Sequence, residues 1–306
     1  MDDPFGPYAA RPESVFIDIQ PVPRRSAWQA WGRNLALFVL TAISVYLTGG
    51  ALMALGVMSI LLAHEMGHYV ACRYHGVDAT LPFFIPAPFL NPLVGTMGAV
   101  IRIRSPFPNR RALFDIGIAG PIAGFVVCLP VLVLGALEAQ ILAGKPSATS
   151  ISLGDPQLLL WAMSWLRGAI PPGMTVYIGP LGMAAWFGLL VTALNLIPIG
   201  QLDGGHVTYA LFSQRANTLS RIVWWASVAM IYFSPSWVVW ALLLWLLGRR
   251  HPPTLDDRAP LGPGRQLVAL LGLAIFMACF IPTPVAGSWE LLRQDLHELL
   301  RYLTSR

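Results

Sequence analysis

His64-Glu65-Met66-Gly67-His68 places two imidazoles and a carboxylate in an HExxH spacing. An α-helix turns once in about 3.6 residues with a rise of about 1.5 Å per residue, so His64 and His68 leave one face one turn apart, as two ligands to one metal must. Glu65 stands beside them, placed to take a proton from bound water. The residues before the motif, 51–63, carry no charge, and Tyr69, Val70 and Ala71 continue the apolar run. A soluble helix could display the same residues as a polar surface stripe. On an apolar helix, however, titratable groups are costly and need partners, and a metal would satisfy all three at once. Cys72 extends the i, i+4 row but lies about 9 Å along the axis from the midpoint of the histidines, beyond a zinc–sulfur bond of about 2.3 Å. Cys72 is therefore read as packing, and the third ligand must come from elsewhere.

The chain around this motif has 306 residues, of which 56% are hydrophobic and 11% charged, against roughly 25% charged in an ordinary soluble domain. Apolar runs spread along the whole length, which implies one integral membrane domain over 34–284 with a flexible cytosolic tail at 1–33 and an amphipathic tail at 285–306. The net charge of +5 comes from arginines at the ends of apolar segments, as membrane orientation requires, so nucleic acid is not an expected partner. Cys72, Cys128 and Cys279 follow no pairing pattern, which argues against a disulfide framework or a thiolate zinc site. The proline-rich start lacks the basic and apolar regions of a secretory signal.

The first apolar segment is expected at 34–47, followed by a turn at Gly49 and Gly50 and a second helix at 51–74 carrying the motif toward the cytosolic side. Residues 77–111 are not expected to be a simple loop, because Pro82, Pro86, Pro88 and Pro92 punctuate an apolar stretch. Along Gly98-Ala99-Val100-Ile101-Arg102-Ile103-Arg104 the pattern alternates as a strand does, with Ile101 and Ile103 facing one way and Arg102 and Arg104 the other. Non-helical backbone near a membrane is tolerated when buried in protein or lining a wet cavity. This β-hairpin is therefore expected either to border a site or to serve as interfacial architecture.

A third helix at 112–137 contains Gly117, Gly120 and Gly124, which permit close helix packing. Asp115, near its start, reads as a cap or an arginine partner rather than a ligand. Segment 138–180 is expected on the opposite side of the membrane, with an interfacial helix at 158–166. A fourth helix at 181–196 ends in Asn195, beyond which Pro198 and Gly200 break regular helix just before Asp203. By residue chemistry alone Asp203 is either a metal ligand or an Asx-turn residue ahead of Gly204 and Gly205. Segment 222–247, interrupted at Ser234-Pro235-Ser236, is one kinked span or a short hairpin. A final apolar segment is expected at 267–281, with an amphipathic pattern at 289–303.

His64-Glu65-x-x-His68 followed by Asn195-x-x-Pro198-x-x-x-Leu202-Asp203-Gly204, each at the same end of its own apolar helix, resembles the site-2 protease family of intramembrane zinc metalloproteases. The resemblance covers about residues 51–210, and the run from Gly98 to Gly124 is similar to the plastid-type branch. It implies an all-α polytopic membrane protein with about six to seven transmembrane helices, a three-helix catalytic core and a membrane-associated β-hairpin. It further implies that His64, His68 and Asp203 hold one Zn2+ ion, that Glu65 activates water as the fourth ligand, and that Asn195 holds substrate or the developing oxyanion. His206 is not required by the pattern and is read as a structural neighbour of the ligands.

The expected activity is hydrolysis of peptide bonds in or near transmembrane segments of membrane-protein substrates, that is, regulated intramembrane proteolysis. The lipid bilayer and a transmembrane substrate are the expected partners, with the plasma (inner) membrane as location and the active site toward the cytosol. An unwound substrate would add as a strand to 94–104, which makes Gly98, Val100 and Ile101 candidate substrate-binding residues. With no room for PDZ-like or CBS-like extensions, selection would use the core, the tails or a regulatory membrane partner. Three competing classes are a protease with a glutamate third ligand, a catalytically silent zinc-binding scaffold and a metal transporter. The complete second motif disfavours the first, Glu65 the second, and the concentration of ligands at one depth the third.

Overall fold

The computed structural model describes residues 27–88, 93–143, 153–171, 173–246, 248, 250–283 and 301. Helix α1 (Ala27–Tyr74) is interrupted at Gly50, whose φ of 79° and ψ of −174° are not helical. That left-handed φ is open to glycine at no steric cost and would strain most other residues. The expected turn at Gly49-Gly50 is thus present, and it divides α1 into an arm at 27–49 and an arm at 51–74. The helix begins inside the stretch expected as a tail.

Strands β1 (Phe83–Pro86) and β2 (Thr96–Val100) form an antiparallel hairpin, with Phe83 opposite Val100 and Phe84 opposite Ala99. Pairing continues toward the site through an isolated bridge between Ala79 and Ile103. The first arm of α1 grips this hairpin. Asn34 Nδ2 donates to the carbonyls of Leu81 and Pro82 at 2.9 and 2.8 Å, Ser44 Oγ donates to the Gly95 carbonyl, and Phe38 meets Phe84 edge-on at 5.0 Å.

Helix α2 (Arg110–Glu138) is capped by Asn109, whose side-chain oxygen accepts from the Ala112 N–H at 3.0 Å, satisfying one of the free amides at a helix start. It packs against α1, α4 (Pro180–Asn195) and α5 (Asp203–Phe212), and Leu113, Phe114 and Ile116 are fully enclosed there. Glycines allow that approach. A Cβ at Gly67 would meet the Ala119 carbonyl, and one at Gly135 would meet the Gly182 backbone. Among lipid tails this close packing, rather than expulsion of water, is what joins helices.

The chain is mostly helical with a hairpin, as expected, but it carries more strand than that. Besides the hairpin it has a second antiparallel pair, β3 (Gln140–Ala143) with β4 (Met174–Tyr177), flanking α3 (Gln157–Arg167). Alternation is absent from these short strands, so nothing local announced them. Helix α3 agrees with the expected helix at 158–166. Helices α6 (Ala216–Ala229) and α7 (Trp237–Leu246) pack on one another, and Trp224 Nε1 donates to the Ala241 carbonyl at 3.1 Å. This is the hairpin alternative for 222–247. Helix α8 (Pro263–Cys279) closes the described bundle. The amphipathic pattern at 289–303 lies outside the described residues, except for position 301.

Among the described residues, two helical stretches are long and apolar enough to cross a membrane, Trp31–Tyr74 and Arg110–Glu138. Their outer faces are apolar, with Leu47, Leu55, Val126 and Leu134 all exposed. The expected six to seven crossings are therefore not established by helix length alone.

Candidate active site

The second arm of α1 carries His64, Glu65 and His68, all buried, and the start of α5 carries Asp203. His64 Nε2 and His68 Nε2 lie 3.2 Å apart, and each lies 3.2 Å from Asp203 Oδ2. Bonds of about 2.0–2.1 Å from a tetrahedral zinc require ligand atoms about 3.3 Å apart. The three atoms therefore fit a zinc ion and leave one tetrahedral position for another ligand. His68 Nδ1 lies 2.7 Å from the Ile116 carbonyl. A carbonyl can only accept, so Nδ1 carries the proton and Nε2 presents its lone pair to the centre.

Helix α2 makes room for these rings. A Cβ on Gly120 would run into the His68 imidazole, one on Gly124 would come within 3.0 Å of His64 Cβ, and one on Gly117 would meet His206 Cβ at 2.7 Å. The glycine spacing expected to serve helix packing thus also accommodates the ligand histidines. Asp203 reaches the site because α4 ends at Asn195 and the chain reverses over 196–202 before α5 begins. Gly204 and Gly205 lie against the Leu196 and Gly200 carbonyls, where a Cβ would not fit.

A cavity of about 220 Å³ opens onto these groups, lined also by Ala99, Val100, Ile101, Ile103, Ile116, Asn195, Gln201, Leu202 and His206. Asn195 Nδ2 lies 3.2 Å from His64 Nε2, at the edge of the centre. The Ile101 backbone N–H faces the Glu65 carboxylate. Arg102 N–H donates to Thr80 Oγ1 and Arg104 N–H to the Asp78 carbonyl. By strand alternation the amides of Ile101 and Ile103 point to the opposite edge, where that of Ile103 bonds to no other described residue. Ile101 and Ile103 are partly buried while Arg102 and Arg104 are exposed, the facing expected from the pattern. Val100 and Ile101 line the cavity; Gly98 does not, and its N–H bonds to Thr96 Oγ1 at 3.0 Å.

Cys72 is fully buried beside Val77 and Ile116, apart from the ligand set. Asp115 is held by Arg265 through two bonds of 2.8 and 2.7 Å and by His75 at 2.9 Å, which is the arginine-partner reading. The network behind His206 had no sequence precursor. His206 Nδ1 lies 2.7 Å from His251 Nε2, and His251 Nδ1 lies 2.6 Å from the Pro252 carbonyl. Tyr209 stacks on His251 with centroids 4.5 Å apart and donates to Asp257 at 2.8 Å. Burial, helped by the neighbouring His251, pushes His206 down to about 3, and burial lowers His251 as well. Both imidazoles are therefore neutral at physiological pH. His251 follows Arg249 and Arg250, a run legible only as an orientation signal.

The model for peptidase family M50 matches residues 52–234. A rice (Oryza sativa subsp. japonica) protein named probable zinc metalloprotease EGY1, chloroplastic, is 31% identical over 79% of this chain and 42% of its own length. Its Arabidopsis thaliana namesake is 31% identical over 80% of this chain and 44% of its own. Arabidopsis EGY2, also named a probable zinc metalloprotease of the chloroplast, is 28% identical over 74% of this chain and 40% of its own. The chain thus spans less than half the length of these curated relatives. The solved site-2 protease from Methanocaldococcus jannaschii matches over 80% of this chain and 86% of that one, at 15% identity and a TM-score of 0.32, too loose an overlap to support an argument. The family match covers more than half of the 306 residues and encloses both motifs, from His64 to Asp203, so the chain belongs to peptidase family M50.

Proposed function

We propose that this chain is an intramembrane zinc metalloendopeptidase that cleaves peptide bonds in or near transmembrane segments of membrane proteins. The observation that carries the reading is the triangle of His64 Nε2, His68 Nε2 and Asp203 Oδ2, with 3.2 Å sides and a buried Glu65 beside it. These three residues would hold one zinc ion. When bound, zinc supplies Lewis acidity and makes water a competent nucleophile near neutral pH. Glu65 takes the proton of the attacking water and passes it to the leaving amine. The Ile101 N–H keeps that carboxylate oriented, and Asn195 donates to the oxygen that becomes negative as the carbonyl is attacked. A silent scaffold would have no use for a buried carboxylate so placed.

The apolar exterior supports a bilayer as surroundings. A stretch of 44 residues, Trp31–Tyr74, would be about 66 Å long as one helix, twice the roughly 30 Å hydrocarbon core. The break at Gly50 makes it two crossings, and α2 adds a third. With the first arm entering from the side that holds the arginine-rich flank, the motif-bearing end of the second arm returns to that same side. The relatives' names place them in chloroplasts, so an internal membrane of that kind is favoured over the plasma membrane. The substrate is a membrane protein whose helix unwinds locally, and the open edge at Ile103 offers a backbone partner for the extended segment. Regulated cleavage and a gating membrane partner belong to the same reading.

Glu65→Gln tests it. The variant is expected to keep near-stoichiometric zinc and a native fold while turnover of a transmembrane peptide falls about 10²- to 10⁴-fold. Full turnover in a zinc-loaded Glu65→Gln protein would overturn the mechanism.

A further inference from the structure

The buried histidine relay behind the cavity has a defined proton order. The Pro252 carbonyl can only accept, so His251 Nδ1 carries a hydrogen and donates to it across 2.6 Å. In neutral His251 the other nitrogen, Nε2, is then an acceptor, and the hydrogen between the two rings, 2.7 Å apart, belongs to His206 Nδ1. Neutral His206 is left with a lone pair on Nε2. His206 lines the cavity that holds the metal-binding triangle, and its Nε2 bonds to no other described residue. The loop at 250–257 keeps the relay in place. Leu255 and Asp256 N–H groups donate to the Phe107 and Pro108 carbonyls at 3.0 and 3.1 Å, and Arg110 Nε donates to the Ala210 carbonyl at 2.6 Å.

An extended peptide carries hydrogen-bonding groups on both edges. If one edge pairs with the open amide at Ile103, the amides and carbonyls on its other edge face the rest of the cavity, and each left unpaired there would be costly. Asn195 offers a donor to a carbonyl on that side. An N–H on that side needs a fixed acceptor that neither the metal nor the proton transfer uses. The carboxylates of Asp203 and Glu65 are committed to those roles.

We propose that His206 is a substrate-positioning residue whose Nε2 accepts one main-chain N–H of the unwound substrate, with the His251–Pro252 relay holding it in the accepting tautomer. This rests on the proteolytic reading above. His206 thereby takes part in recognising the main chain rather than any side chain, which suits an enzyme that must accept varied apolar sequences.

The test uses the full zinc-loaded chain in detergent and a synthetic transmembrane peptide that it cleaves, prepared also with a single N-methyl group at successive positions around the scissile bond. His206→Asn places an amide N–H where Nδ1 stood, so the bond to His251 is retained while the cavity-facing acceptor is lost. His206→Asn should raise KM roughly tenfold with zinc content and kcat little changed, and His206→Gln, whose amide oxygen can reach the Nε2 position, should recover part of the loss. One N-methyl position should cost the wild type a similar factor and cost His206→Asn nothing further.

Penalties of equal size in both proteins at every position would show a merely structural role and overturn the proposal. So would a wild-type scan in which no N-methyl group raises KM, whether or not the variants fold. Glu65→Gln run alongside separates the two readings. If it cleaves as wild type does, the Glu65 mechanism of the proteolytic reading falls. If it is inactive while His206→Asn matches wild type, only the positioning role is lost.

Discussion

At the scale of single residues, the site combines local spacing with long-range placement, and the two differ in what the sequence discloses. His64, Glu65 and His68 are legible because helix geometry alone puts them together. Asp203 is not, since its approach depends on the reversal over 196–202 and on glycines that let α5 lie against the Leu196 and Gly200 carbonyls; only the resemblance selected it over an Asx turn. His251 was not legible at all, because its partner is 45 residues away. Asp203→Ala is expected to lower zinc occupancy in dialysed protein, read by metal analysis, while helix content by circular dichroism holds, because one ligand is lost and two remain. Gly120→Val makes a sharper claim. A side chain there would displace the His68 ring, so zinc affinity should fall by at least 10- to 100-fold, the cost typical of disturbing a ligand's supporting contacts. Wild-type zinc affinity in that variant would show that α2 does not shape the site.

At the scale of elements, the alternation at Ile101 to Arg104 was legible and so was the hairpin, because a period of two is a local pattern. The β3–β4 pair was not, since its strands lie some thirty residues apart with no alternation. Structure also refines which hairpin amide can meet a substrate. Strand alternation turns the Val100 N–H inward to β1, and the Ile101 N–H faces the Glu65 carboxylate, so proline at either position would not test the edge cleanly. Ile103→Pro removes an outward amide and leaves the Ile101 N–H facing Glu65. Turnover of a transmembrane substrate should fall at least several-fold while zinc content stays at the wild-type level. Ile101→Pro should lower turnover of a short soluble peptide as well, because it releases the carboxylate that moves the proton. If Ile103→Pro cleaves the transmembrane substrate as wild type does, the edge is architecture.

At the scale of the whole molecule, composition disclosed a membrane protein, but not how its helices share the work of crossing and enclosing. Helices α4 and α5 are mostly buried and serve the interior, whereas the arms of α1 and the outer face of α2 meet the surroundings. Two links tie the far ends of this assembly. The metal triangle joins α1 to α5, and the Asp115–Arg265–His75 cluster joins α2, α8 and the end of α1. Zinc that binds the folded chain stabilises it by RT ln(1 + [Zn]/Kd), about 2.7 kcal/mol at a hundredfold excess over Kd. In detergent, chelation should therefore lower the unfolding midpoint by several degrees and abolish cleavage, and added zinc should restore both. Asp203→Ala should lose most of the zinc-dependent shift. Arg265→Met should instead lower the midpoint with zinc or without it and keep the shift between them, because the carboxylate it abandons lies outside the triangle. If Arg265→Met erased the zinc-dependent shift, the two links would form one cooperative unit, and the metal's effect would reach α8 as well as the helices that hold it.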